Sequence, residues 1–168
     1  MISFSWDAFI TLCFVIATVY GLVLQKDRLT VILVSAYIAL AVANFWGESI
    51  YRVLLQRGDL LGSWAKDVSL FTVTAGLFIL FIILLSARGG FTVEERGGIY
   101  TPFIMAALGF LAAGLILGSV LSFMPEELRS SLIATSKMAA FVWKYHTLWI
   151  VLPPLVLVFS SIFGRSKA

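Results

Sequence analysis

Residues 20–34 read YGLVLQKDRLTVILV. An apolar run stops, Gln25, Lys26, Asp27 and Arg28 intervene, and a second apolar run begins at once. Charges of this kind do not stay in hydrocarbon. So short a break also leaves no room for an excursion into a soluble domain. The stretch therefore reads as the turn of a helical hairpin, with Lys26 and Arg28 as its topology-setting charges. Its shortness predicts that the two flanking helices are antiparallel neighbours.

The rest of the chain agrees with a lipid solvent. Of 168 residues, 61% are hydrophobic and only 12% charged. Soluble domains run about 45–50% apolar and about 25% charged. The net charge of +3 is modest and scattered, which excludes a nucleic-acid footprint. Cys13 is the only cysteine, so neither a disulfide framework nor a cysteine metal site forms within one chain. The N-terminal MISFSWD lacks Lys and Arg and leads into no small-residue cleavage site, unlike a removable signal peptide.

A spanning helix needs about 20 mostly apolar residues. Residues 8–24, 29–46, 68–87 and 99–124 qualify, and none of them contains Asp, Glu, Lys, Arg or His. Every backbone group in lipid must bond within its own segment, so these are helices. No period-two alternation points to a barrel. The fold class is all-α: one integral membrane domain, a polytopic transmembrane bundle. Residues 147–163, TLWIVLPPLVLVFSSIF, form a fifth apolar segment interrupted by Pro153 and Pro154. Each proline removes a donor and crowds the preceding turn. The segment reads as a Pro-kinked fifth span, with a re-entrant or interfacial segment as the alternative.

Two longer connections fall on one face of the membrane. Ile50, Val53, Leu54 and Arg57 follow helical spacing in the first. In the second, Pro125 suits a first helical turn, with Glu126 and Glu127 beside it, and Leu128, Leu132, Ala139 and Val142 share a stripe. Both read as interfacial amphipathic helices, with ordinary surface helix packed on the bundle as the alternative. Trp6, Trp46, Trp64, Tyr100, Trp143 and Tyr145 lie near segment ends, as an aromatic belt requires. Lys and Arg split six and six between the two faces, so counting positive charges gives no orientation.

Candidate chemistry is sparse. Asn44 is the only carboxamide in a span, and its expected role is a hydrogen bond to a neighbouring helix. His146, the only histidine, sits in the aromatic run WKYHTLW without ligand partners, so no metal site is expected. Glu94 and Glu95 are adjacent and point apart, unlike an acid–base pair. No catalytic or cofactor-binding residue is expected. The fourth span carries a small-residue face: Ala107, Gly114 and Gly118 fall on one side of the helix. Such a face permits close backbone approach, either inside one bundle or between copies. The expected partners are the bilayer and either a second copy or another membrane protein.

The order of parts resembles the colicin V production protein family (CvpA-like membrane proteins). The family begins with an acidic residue at the mouth of the first helix, matched by Asp7. A glycine and basic residues in a short turn follow, matched by Gly21, Lys26 and Arg28. Its fourth helix opens from a charged turn and is glycine-rich, matched by Arg96, Gly97, Gly109 and Gly114. The resemblance covers about residues 6–124. Gln25 and Asp27 replace a second glycine and denser arginine in the turn, Ala112 and Ala113 stand where an arginine is usual, and the PP-containing tail lies outside the pattern. The resemblance implies a multi-pass protein of the bacterial cytoplasmic (inner) membrane, tied to envelope maintenance or export. It also implies an N-terminus outside and no known catalytic residues.

Overall fold

A computed structural model describes residues 5–23, 26–56, 68–88 and 101–165, with the side chains of residues 26, 27, 101 and 160–165 outside the description. Seven helices lie among these residues. They are α1 (Trp6–Val23), α2 (Lys26–Gln56), α3 (Leu70–Arg88), α4 (Thr101–Phe123), α5 (Glu126–Thr135), α6 (Lys137–Lys144) and α7 (His146–Arg165). The fold is an all-α bundle. Helices α1 to α4 are each long and apolar enough to cross a membrane, and α6 with α7 forms a bent pair that passes the same test jointly. Residues 24–25 and the Lys26 side chain of the hairpin turn, the ERGG turn with Arg96 and Gly97, Glu94, Glu95, Trp64, Tyr100 and the basic tail from residue 166 lie outside the described residues. Arg28 stands exposed in the first turn of α2.

Helix α4 is the centre. More than half of its span, 56%, is buried, against 17% for α1 and for α3. Helix α1 buries one narrow stripe, Ile10, Phe14 and Gly21, and lays it antiparallel along α4. Phe14 meets Phe110 with ring centroids 4.7 Å apart. About two turns further on, the backbones themselves touch. A Cβ on Gly21 would stand 2.7 Å from the Met105 carbonyl oxygen and 3.0 Å from the Gly109 Cα. A Cβ on Gly109 would collide with the Ala17 carbonyl. Glycine is required at both positions by this approach.

Helix α2 packs antiparallel along α3. Ala39 and Ala43 form a buried cluster with Phe78, and Gly47 faces Thr74, whose Oγ1 lies 2.8 Å from where a Cβ would be. A second face of α2 (Leu29, Leu33, Ala36) packs on Leu108, Ala112 and Leu115 of α4. The expected pairing of α1 with α2 is thus corrected: the main partner of α1 is α4, and that of α2 is α3. The short turn fixes the direction of α2 but not its partner. The partner is chosen by where small residues let backbones meet.

The long-loop end also departs from expectation. Residues 50–56 are not a separate interfacial helix; they continue α2. At 1.5 Å per residue, the 31 residues of α2 reach about 46 Å, well past a hydrocarbon core of about 30 Å. Nothing in GESIYRVLLQ breaks a helix, and Glu48 pairs with Arg52 one turn on. Pro125 is the N-cap of α5 rather than a first-turn residue. The expected stripe over residues 128–142 divides at Ser136, which is extended (φ −126°, ψ 117°). Ala139 and Val142 are buried and Leu132 packs beside them, whereas Leu128 is exposed.

The α1–α4 crossing sets a testable expectation. Gly109→Leu forces a side chain into the α1 backbone. It is expected to lower stability by about 1–3 kcal/mol or more, read by reversible unfolding in mixed micelles, with α1 becoming protease-sensitive.

Candidate functional site

Three polar contacts hold the long-loop end and the α7 segment to the core. The first starts at Asp7, in the opening turn of α1. Its Oδ1 accepts from the Ser136 hydroxyl at 2.7 Å and from the Met138 backbone N–H at 2.9 Å. Ser136 Oγ in turn accepts from the Ala139 N–H at 3.1 Å. The free N–H groups at the start of α6 are thereby capped twice, by a hydroxyl of its own and by a carboxylate from α1.

The second contact lies around the 60° bend that separates α6 from α7 at Tyr145. The indole Nε1 of Trp149 donates to the Val142 carbonyl at 3.1 Å, closing the bend. The same indole ring is packed against Gly114 of α4, where any Cβ would overlap it. A Cβ on Gly118, one turn along, would stand 3.6 Å from His146 Cδ2 and 3.8 Å from Trp149 Cδ1. The expected small-residue face is therefore occupied: Gly114 and Gly118 are covered by α7 within the chain, and Ala107 is half-buried. His146 is half-buried and stacks on Trp143 with centroids 5.3 Å apart. Trp143 carries the Arg129 guanidinium 4.3 Å above its ring, a cation–π contact that ties α5 to α6.

The third contact concerns the proline pair. Helix α7 continues through Pro153 and Pro154; the sharp bend stands at Tyr145, eight residues before the first of them. Pro154 has no N–H, so the Ile150 carbonyl four residues back loses its helical donor. The Tyr37 hydroxyl of α2 donates to that carbonyl at 2.6 Å. An orphan acceptor inside the bundle is thus satisfied by a neighbouring helix. Pro153 is fully buried, whereas Pro154 is exposed, so only the first of the pair is part of the packed interior.

Asn44 corrects an expectation. Its Nδ2 donates to the Leu40 carbonyl of its own helix at 3.0 Å, and the residue is exposed. The i−4 carbonyl was nearer than any other helix. Asp7, Tyr37, Ser136 and Trp149 were not expected as structural links. For Tyr37 the signal was present in the sequence. Pro154 announces an orphan carbonyl at Ile150, and Tyr37 is the only tyrosine in the middle of the first four spans.

Among the described residues, no group of three His, Cys, Asp or Glu side chains could hold a metal ion. Every buried side-chain nitrogen or oxygen among them has a hydrogen-bond partner. Comparison with protein-family models, curated proteins and solved structures finds no match to this chain.

Two expectations follow. Tyr37→Phe orphans the Ile150 carbonyl and should cost about 1–3 kcal/mol. In a Pro154→Ala background, the introduced alanine supplies the helical N–H, and most of that cost should vanish in the double-mutant cycle. Asp7→Ala uncaps α6 from the α1 side; hydrogen exchange at the Met138 amide should become faster, with the α1–α4 packing unchanged.

Proposed function

We propose that the chain is a non-enzymatic membrane scaffold or assembly subunit, working through helix–helix contact with a second copy or another membrane protein. One observation carries this reading. Gly21, Gly47, Gly109, Gly114 and Gly118 each face a neighbouring helix, but a Cβ on Gly76 would meet nothing within 4 Å. Glycine inside a helix costs about 0.5–1 kcal/mol relative to alanine. At Gly76 no contact among the described residues explains that cost. The exposed line Thr72, Gly76, Leu80 and Ile83 on α3 has the form of a surface to which another helix backbone comes close.

The polar inventory supports the same reading. Asp7, Tyr37, Ser136 and Trp149 are all engaged in holding helices together. The resemblance to the colicin V production family supports a place in a bacterial cytoplasmic membrane, with the N-terminus outside and a role in envelope maintenance or export. The alternative is a passive pore or transporter subunit. It is favoured by the broken α6–α7 pair, since interrupted helices often line cavities. Against it, the space beside the break is filled by Ala139, Val142 and Trp149.

The test uses chain extracted gently from its native membrane and weighed intact. A defined homo-oligomer or heteromeric complex is expected. Gly76→Leu should dissociate it while leaving the melting of the isolated chain unchanged. A monomer from wild type, or assembly indifferent to Gly76→Leu, contradicts the proposal. Solute flux in liposomes above that of empty vesicles would move the assignment to the pore.

A further inference from the structure

A groove of about 350 Å³ runs down the outside of α1, lined by Thr11, Phe14, Val15, Thr18, Val19, Phe110 and Met138. Its walls are almost wholly apolar. Val15 and Val19 are half-exposed, so it opens sideways onto the hydrocarbon and its occupant comes from the bilayer. From Thr11 to Val19 the groove descends about 12 Å along the helix. A single leaflet of a hydrocarbon core of about 30 Å is about 15 Å deep. The groove thus matches one acyl chain of the leaflet at the long-loop end.

Its mouth is charged. Thr11 stands one helical turn from Asp7, and Met138 follows Lys137 in the chain. Asp7 binds the Met138 N–H through Oδ1, which fixes the carboxylate beside the groove's upper end. Lys137 is exposed at the first position of α6. The Lys137 charge is close enough to act on the Asp7 carboxylate, so one carboxylate and one ammonium share the end of the groove marked by Thr11 and Met138.

We propose that this groove is a binding site for a zwitterionic phospholipid. One acyl chain lies along Thr11, Val15 and Val19. The headgroup phosphate faces Lys137 and the headgroup ammonium faces Asp7. A singly anionic lipid satisfies Lys137 but sets its uncompensated charge beside the Asp7 carboxylate. Phosphatidylethanolamine is accordingly preferred over phosphatidylglycerol.

The test is native mass spectrometry of the full chain in mild detergent with equal amounts of these two lipids. The expected result is a one-lipid adduct in which phosphatidylethanolamine exceeds phosphatidylglycerol several-fold. Val15→Trp, which fills the slot from its open side, should remove the adduct, whereas Ile83→Trp on the outer face of α3 should keep it. Lys137→Glu should abolish the headgroup preference. Circular dichroism confirms that each variant is folded, and Val19→Trp probes the same slot should Val15→Trp not fold. Equal retention of both lipids, no adduct above background, or an adduct that survives every groove-filling variant overturns the proposal. A lipid-free dimer lost in Val15→Trp would also overturn it, placing a second copy in the groove.

Discussion

A backbone polar group left unpaired in hydrocarbon costs several kcal/mol, and the architecture follows from avoiding that cost. It makes every spanning segment a helix. It also bears on the second proline inside α7. Pro154 withdraws the donor from the Ile150 carbonyl, and Tyr37 of α2 supplies another at 2.6 Å. This bond links α7 to α2, while the main packing partner of α7 is α4. Trp149 then lies on Gly114 with its indole N–H turned back to Val142. The bend at Tyr145, the seating of α6 and the capping of α6 by Asp7 are geometrically linked to that placement.

Within lipid, apolar contact between helices gains nothing from leaving water, so the bundle must be held by close packing and a few polar links. The glycines are distributed accordingly. Gly21 with Gly109 brings α1 onto α4, Gly47 brings α3 onto α2, and Gly114 receives the Trp149 ring. Helix α4 carries small residues on several sides, including Ala112 and Ala113, both buried. It can therefore be approached from several directions, which is why it sits at the centre. Helices α1 and α3 carry large aliphatic side chains over most of their circumference and stay at the periphery.

The spans and the all-α class were legible from composition, because four uncharged apolar runs have no other stable form in lipid. Partners were less legible. The charged break at residues 25–28 gave direction, although Lys26 to Arg28 belong to the first turn of α2; the pairing of α1 with α4 depends on Gly21 meeting Gly109 from far along the chain, and nothing local announces that. Gly114 and Gly118 were recognisable as a close-approach face. That the occupant would be an indole from the same chain was not, since Trp149 also fits an aromatic belt. Ser136 shows a different difficulty. The apolar stripe runs on through residues 128–142, and the restart of a helix at that serine rests on its own hydroxyl cap together with the distant carboxylate of Asp7. Asn44 bonds within α2 because its i−4 carbonyl satisfies it as well as a neighbouring helix would.

The central claim is that α1 is packed on α4 of the same chain. The direct measurement is oxidation, in native membranes, of a chain carrying Cys13→Ala with Phe14→Cys and Phe110→Cys, positions whose native rings stack at 4.7 Å. A disulfide formed within one chain, leaving the monomer mass unchanged on a denaturing gel, is the predicted result. Cross-linked dimers, or free thiols at both positions after oxidation, would contradict the account.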